Sequence, residues 1–270
     1  MPNTSSDVAT VHTPASLAVA ALESLRPYQW LKNGLVFVPL AAAHRMAEMD
    51  LLGATARTFL AFCLCASSVY LLNDMWDEQA DRLHPHKRQR PIASGRLPHS
   101  WAMGLATTLL LLALATAWPI GRAVTAVLGG YFALMTAYSL RLKAIVLLDA
   151  MTLAGGYALR VVAGALAVML WPSPWLLALC IFLFLSLALL KRYSELALLR
   201  ARDGAATHAR AYLLEDQEFI VALGTCCGIA AVLVLALYTS TGHLERLYRT
   251  PEFLWGTCVL LLYWISYMWL

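Results

Sequence analysis

Residues 51–72 read LLGATARTFLAFCLCASSVYLL and lead directly into NDMWDEQAD at 73–81. The first part is a continuous apolar run whose only charged residue is Arg57. About 20 such residues are enough for a helix to cross the hydrocarbon core of a membrane. The second part places several acidic side chains immediately after that run. This stretch therefore predicts a transmembrane helix that ends in an acidic motif.

Long apolar segments recur along the rest of the chain. Hydrophobic residues fill 60% of the 270 positions, and charged residues fill 13%, about half their share in soluble domains. This composition excludes a soluble globular enzyme, a disordered chain and a secreted disulfide scaffold. The absence of two-residue alternation excludes a membrane β-barrel. We predict an all-α polytopic bundle with eight spans at 28–44, 51–72, 101–120, 122–140, 148–170, 174–190, 219–240 and 253–270.

The two ends of the chain differ from this pattern. Residues 1–20 are rich in Ser, Thr, Pro and Ala and lack the basic start and cleavage site of a signal peptide. We expect a flexible cytoplasmic tail there, followed by a single transmembrane catalytic domain over 21–270. The last predicted span stops at Leu270 without a polar flank, which suggests a chain truncated by one helix.

The basic residues predict the orientation in the membrane. Fourteen of the 20 Lys and Arg residues lie before the first span or in the loops 73–100, 141–147 and 191–218, while five lie in the opposite set of loops. Cytoplasmic loops carry the excess of basic residues in membrane proteins. We therefore place the first set in the cytoplasm of a prokaryotic cell, with the bundle in its inner membrane.

The acidic motif predicts a metal site. If the second span continues as a regular helix, Asn73, Asp74, Asp77 and Asp81 fall within an arc of about 100°. Like charges three or four residues apart repel each other, and oxygen ligands at this density suit Mg²⁺, which completes its shell with water and substrate phosphates. The motif thus indicates a Mg²⁺–diphosphate site. The alternative is a solvated helix end whose acids offset the basic loop beyond.

That basic loop, HPHKRQRP at 84–91, places Lys87, Arg88 and Arg90 directly after the acids. A metal-binding face beside a cationic loop supplies the two parts that hold a polyphosphate. The alternative is an anchor that binds anionic lipids at the membrane surface.

Polar side chains recur at other predicted cytoplasmic helix ends. Each basic residue alone is consistent with a side chain that reaches out to the membrane interface, but their location on one side favours a shared site. They are Lys32 and Asn33 of the first span, Tyr138 and Lys143 of the fourth, and Lys191 and Tyr193 of the sixth.

The fifth span contains a charged residue inside the membrane. Arg160 follows Asp149 by 11 residues, which is about 16 Å along a helix and nearly the same direction around it. An intramembrane arginine is costly and usually faces a polar cavity. Arg160 is therefore predicted to reach an anionic group in a cavity, or alternatively to form a structural pair with Asp149.

The motif Asn73-Asp-x-x-Asp77-x-x-x-Asp81 after an apolar helix resembles the first aspartate-rich motif of the UbiA superfamily of intramembrane prenyltransferases. Five segments together resemble its decaprenyl-phosphate phosphoribosyltransferase branch: LRPYQWLKN (25–33), YLLNDMWDEQADRLHPHKRQRPIASG (70–95), YSLRLKAIVLLD (138–149), LRVVAGA (159–165) and KRYSEL (191–196). The resemblance implies nine helices around a central cavity that opens to the cytoplasm, and Mg²⁺ as the cofactor.

The chain departs from this family in two ways. The second paired-aspartate motif of aromatic prenyltransferases is absent, since the matching region offers Tyr138, Lys143 and only Asp149. This departure favours the phosphoribosyl branch. The ninth helix also has no counterpart among the eight predicted spans.

The resemblance implies phosphoribosyl pyrophosphate as donor and a polyprenyl phosphate lipid as acceptor, with no nucleic acid involved. Two other functions stay open: prenyl transfer from a polyprenyl diphosphate to an aromatic acceptor, and a transporter or lipid scaffold. We assign catalytic roles to Asp77, Asp81, Lys143 and Arg160, metal binding to Asn73, Asp74, Asp77 and Asp81, and substrate binding to Lys32, Asn33, Lys87, Arg88, Arg90, Tyr138, Asp149, Lys191 and Tyr193.

Overall fold

The computed structural model describes residues 14–200, 208–209, 211–241 and 253–270. Helices dominate these residues, and a two-residue antiparallel pair of strands is the only sheet among them. The elements are α1 (Pro14–Leu25), a 3-10 helix (Pro27–Phe37), α2 (Val38–Ala42), α3 (Met49–Trp76), α4 (Glu78–Leu83), α5 (His99–Ala117), α6 (Arg122–Leu140), α7 (Leu148–Ala167), α8 (Pro174–Arg200), β1 (His208–Ala209), β2 (Tyr212–Leu213), α9 (Gln217–Thr239) and α10 (Leu254–Trp269), with short 3-10 turns at Lys87–Gln89, Leu142–Ala144 and Leu214–Asp216.

The predicted all-α membrane bundle is confirmed. Within the described ranges, six helices are long and apolar enough to cross a membrane, and α10 is a shorter apolar helix. The six are α3, α5, α6, α7, α8 and α9, which coincide with six of the eight predicted spans. The predicted count of eight spans, and the family's ninth helix, remain predictions.

The first predicted span, 28–44, is not a single α-helix. It consists of the 3-10 helix followed by the short α2. Pro39 has no N–H to donate to the carbonyl of Leu35, so a regular α-helix is interrupted there. The 3-10 helix instead packs closely on α7, where a Cβ added to Gly164 would lie 2.0 Å from the carbonyl oxygen of Val36.

The predicted flexible tail is partly helical. Residues 1–13 lie outside the described part of the chain, but α1 begins at Pro14. Its apolar side packs on α3 and α5, where Ala20 joins a cluster with Leu71, Met75 and Leu109. Burial of these apolar side chains stabilises the helix at a position where composition alone suggests none.

The central helix of the bundle is α3. It packs against α5 on one side and against α6, α7 and the 3-10 helix on the other, while α8, α9 and α10 follow one another beyond α7. Small residues line the contacts, as in other membrane helices: a Cβ on Gly224 of α9 would lie 2.2 Å from the ring of Trp269 of α10. This arrangement leaves a chamber between α3, α6, α7, α8 and the 3-10 helix.

Candidate functional site

The chamber lies at the helix ends that the basic residues predict to be cytoplasmic. Its volume is about 350 Å³. Nine of the predicted site residues, from six separate segments, meet on its walls: Lys32, Asn73, Asp77, Lys87, Arg90, Tyr138, Lys143, Arg160 and Lys191. Side chains that the sequence predicts to share a site therefore line one cavity.

The acidic motif does not form one continuous face. The helix α3 ends at Trp76 and α4 starts at Glu78, so that Asp77 lies at a break with φ −89° and ψ 4°. Asn73 and Asp77 line the chamber, whereas Asp74 and Asp81 are buried behind it. The expectation that one regular helix carries all four side chains is therefore wrong, because α3 ends at Trp76 and Asp81 lies on α4.

Two arginines form ion pairs with the buried carboxylates. Arg26 Nη2 donates to both oxygens of Asp74, at 2.6 and 2.5 Å. Arg90 Nη1 bridges Asp74 Oδ1 at 3.1 Å and Asp81 Oδ2 at 2.6 Å. A buried carboxylate needs such a partner to offset its desolvation. Among the described residues no three His, Cys, Asp or Glu side chains come together as a metal cluster. Asp74 and Asp81 contact arginines, and metal binding by these two carboxylates stays a prediction.

Asp77 is the carboxylate that the motif presents to the chamber. Lys143 Nζ lies 2.6 Å from its Oδ1, and the two side chains are 25% and 31% exposed. Asn73 lines the same wall. Because Mg²⁺ is commonly held by one or two carboxylates together with substrate phosphates and water, this amide and carboxylate fit a Mg²⁺ ion that shares its shell with a diphosphate.

The rim of the chamber is strongly cationic. Lys87 and Arg90 of the predicted basic loop line it, together with Arg26, whereas Arg88 is exposed and is absent from its walls. Within this loop, His84 Nδ1 accepts the N–H groups of His86 and Lys87 at 3.3 Å. Desolvation, followed by the nearby charges of Lys87 and His86, lowers the pKa of His84, which favours the neutral ring that can accept these bonds.

Arg160 forms part of the chamber wall, and its hydrogen-bonding nitrogens are all engaged. Nε donates to Asn33 Oδ1 at 2.7 Å, Nη1 to the carbonyl of Gly156 at 2.7 Å and Nη2 to the hydroxyl of Tyr131 at 2.8 Å. The guanidinium also lies 4.6 Å from the centre of the Tyr131 ring and 5.4 Å from that of Tyr157. Its charge has no carboxylate partner among the described residues, so it adds positive potential to the chamber.

Asp149 has a different role from the predicted one. It is fully buried, and its partner is Arg192, whose Nε lies 2.7 Å from Asp149 Oδ2, not Arg160. Tyr138 donates its hydroxyl hydrogen to Asp149 Oδ1 at 2.8 Å. The alternative pairing of Asp149 with Arg160 is therefore wrong, and the predicted substrate contact of Asp149 stays a prediction. Asp149 instead holds Tyr138 and Arg192 in the chamber wall.

Three more residues, Asn33, Tyr193 and Arg192, lie at or near the chamber wall. Asn33 is buried behind the wall as the acceptor of Arg160. Tyr193 packs on Trp269, with ring centres 6.2 Å apart, so its predicted substrate contact is not supported. Arg192 lines the chamber but was not singled out from the sequence. Its neighbour Lys191 has the same charge, and only helix packing decides which of the two is buried.

An apolar groove joins the chamber from the side. Its volume is about 580 Å³, and it lies between the 3-10 helix, α7 and α8. Leu35, Phe184 and Leu187 line it, and Lys32 and Lys191 belong to the walls of both the groove and the chamber. Two cations therefore mark the junction between a polar and an apolar compartment.

Comparison with known proteins identifies relatives of this arrangement. The chain is 37% identical over 247 residues to nodulation protein NoeC of Azorhizobium caulinodans, an alignment that covers 90% of this chain and 79% of that protein. It is 39% identical over 200 residues to decaprenyl-phosphate phosphoribosyltransferase of Mycolicibacterium smegmatis, covering 73% of this chain and 63% of that protein. The aligned part of the chain thus spans less than two thirds of the length of this second relative.

Solved structures show the same fold. A UbiA homologue from Archaeoglobus fulgidus, bound to GPP and Mg²⁺, superimposes with a TM-score of 0.72 at 18% identity, over 92% of this chain and 87% of that one. The sequence pattern of the UbiA prenyltransferase family matches residues 35–270. Because this match covers most of the chain, including the acidic motif and helices α3, α6, α7 and α8, the protein belongs to the UbiA prenyltransferase family.

Proposed function

We propose that this protein transfers phosphoribose from phosphoribosyl pyrophosphate to a polyprenyl phosphate, with Mg²⁺, and releases pyrophosphate. The observation that carries the proposal is the junction at Lys32 and Lys191, where the cationic chamber meets the apolar groove. The names of relatives such as the Mycolicibacterium smegmatis enzyme support it. Family membership favours a transferase over the transporter or lipid scaffold considered from the sequence.

The chamber suits a small polyanionic donor. Lys87, Arg90 and Lys143 on its walls are placed to contact the oxygens of a diphosphate. Such fixed cations stabilise negative charge that grows on a leaving group, especially where water is scarce. The tyrosine hydroxyls on the same walls, among them Tyr131 and Tyr138, suit a sugar better than a hydrocarbon chain.

The groove suits the lipid acceptor. A polyprenyl chain would lie along Leu35, Phe184 and Leu187, with its phosphate at Lys32 and Lys191. Lys32 donates to the neutral amide oxygen of Gln29 at 2.6 Å, so its charge is left for an anion. In this arrangement the lipid phosphate would lie beside the chamber that would hold the donor.

The reaction follows from these positions. A bound Mg²⁺, held by Asn73 and Asp77, would neutralise charge on the departing pyrophosphate. The bond between C1 of the ribose and the pyrophosphate oxygen breaks, and an oxygen of the lipid phosphate forms the new bond to C1. Since that phosphate is already anionic, no general base is required. Lys143 and the rim cations hold the pyrophosphate.

The proposal is tested with purified protein in detergent. Mg²⁺, a polyprenyl phosphate and ribose-labelled phosphoribosyl pyrophosphate are incubated together, and the lipid phase is counted. We expect label in the lipid and one pyrophosphate released for each ribose transferred. Label that stays in the aqueous phase, while wild-type protein is folded, would contradict the proposal.

Prenyl transfer to an aromatic acceptor is the second candidate. The same junction can hold a prenyl diphosphate, with its diphosphate in the chamber and its tail in the groove, and the related structure from Archaeoglobus fulgidus is described as bound to GPP and Mg²⁺. Parallel incubation with a labelled prenyl diphosphate and an aromatic acid distinguishes the two. Label transfer only in that second mixture would replace the first proposal.

A further inference from the structure

The loop 141–147 between α6 and α7 carries Lys143 to the chamber and ends in a strained turn. Leu147 has φ 64° and ψ −43°, and the N–H of Leu148 donates to the carbonyl of Val146 at 2.8 Å. A hydrogen bond across one residue with these angles is a γ-turn of the rare, strained kind. Such strain persists only where the surrounding structure holds it in place.

Tyr212 holds this turn in place. It lies on β2, in the connection between α8 and α9, and its side chain is fully buried beside Ala150, Leu196 and Ile220. Its hydroxyl oxygen accepts the N–H of Leu147 at 3.1 Å. Burial raises the pKa of the Tyr212 phenol, so the buried ring stays uncharged.

The loop is therefore anchored at two points. Near its middle, Lys143 Nζ contacts Asp77 at 2.6 Å, and at its end Leu147 is bound by Tyr212. A diphosphate with Mg²⁺ at Asp77 would compete for the first contact, because it offers Lys143 other oxygens and offers Asp77 another cation. The second anchor, between Leu147 and Tyr212, contains no residue of the chamber wall.

We propose that Tyr212 is a positioning residue for the diphosphate site: through Leu147 it holds the α6–α7 loop so that Lys143 faces the ligand when Asp77 is engaged. This inference rests on the proposed function only in requiring that a diphosphate enters the chamber, which both candidate reactions share.

The test measures binding of Mg²⁺–pyrophosphate to the purified full chain by calorimetry. Tyr212→Phe keeps the buried ring and removes the hydroxyl, and we expect about fivefold weaker binding, the effect of one lost hydrogen bond. Lys143→Ala should also weaken binding. In the double variant, Tyr212→Phe should add nothing to Lys143→Ala, because residues that act through one contact are not additive. Tyr238→Phe, at the far end of α9, is the matched control and should bind as wild type.

Two outcomes would overturn the inference. One is that Tyr212→Phe binds Mg²⁺–pyrophosphate as tightly as the wild type. The other is that Tyr212→Phe weakens binding by the same factor in the wild-type protein and in Lys143→Ala. Hydrogen exchange of the wild-type protein tests it independently of any variant. We expect the amide of Leu147 to stay protected with and without Mg²⁺–pyrophosphate, and rapid exchange in either state would overturn the inference. If Tyr212→Phe and Lys143→Ala show the expected non-additive loss of binding but no ribose label reaches the lipid, the proposed function alone is contradicted. If the wild-type protein binds no pyrophosphate, both the proposed function and this inference are contradicted.

Discussion

At the scale of single residues, the site depends on which charges are already paired. Asp74 and Asp81 are bound by Arg26 and Arg90 inside the protein, whereas Asp77 is partly exposed in the chamber beside Lys143. The four polar residues of the motif therefore separate into two that are paired inside the protein and two, Asn73 and Asp77, that line the chamber. This division assigns the most severe functional effect to Asp77.

Asp77→Asn is expected to leave the protein inserted and folded but to lower pyrophosphate release about a hundredfold or more, the usual cost of removing one fixed electrostatic contact in a catalytic site. Pyrophosphate release by purified protein measures the effect. Asp50→Asn, at the exposed start of the same helix, is the matched control. Near-normal turnover by Asp77→Asn would contradict the assignment of this residue to the metal and diphosphate.

At the scale of elements, the broken first span determines where Lys32 lies. The 3-10 helix follows a path close to α7, because Gly164 lets the backbone of Val36 approach. A regular helix through 28–44 would place the side chains of this segment in other directions, since a 3-10 helix and an α-helix differ in residues per turn. The junction of chamber and groove therefore depends on a close contact between two backbones.

Gly164→Ala is expected to push the 3-10 helix away from α7 and to destabilise the protein by about 1–3 kcal/mol, as overpacking commonly does. The Michaelis constant for the lipid acceptor should rise more than that for the donor, because Lys32 shifts with the segment. Thermal unfolding in detergent and steady-state kinetics measure the two effects. Gly129→Ala, on α6 where an added Cβ meets nothing within 4 Å, is the control, and equal effects from both would refute the argument.

At the scale of the whole molecule, the bundle builds two compartments of opposite character side by side. The polar chamber is enclosed by α3, α6, α7 and α8, and the apolar groove opens between α7, α8 and the 3-10 helix. A water-soluble donor and a lipid acceptor can thus meet without either entering the other's environment. This separation is what the proposed reaction requires.

Leu187→Trp, which fills part of the groove, should raise the Michaelis constant for a long polyprenyl phosphate about tenfold, equivalent to ~1.4 kcal/mol of lost packing. The constant for phosphoribosyl pyrophosphate should not change. Leu105→Trp, in the separate apolar cleft between α1 and α5, is the control. A matching effect from the control, or a rise for the donor, would contradict the placement of the lipid in this groove.

The sequence by itself determined the membrane bundle and identified nine of the residues that line the chamber. Continuous apolar runs of spanning length allow few structures other than transmembrane helices, and six of the eight predicted spans are present as such helices. The charged residues cluster at helix ends because the bilayer interior excludes them. That constraint brought nine of the predicted site residues to one cavity.

Only the tertiary structure decided which of these residues face the cavity. Helical periodicity placed Asp81 beside Asp77, but the helix breaks at Asp77 and the pairing with Arg90 buries Asp81. Likewise, no local pattern distinguishes Lys191 from Arg192, and it is packing against Asp149 that buries the arginine. The physical reason is the same in both cases: a buried charge must meet a partner from a distant segment, and the pairing of distant segments is a property of the folded bundle.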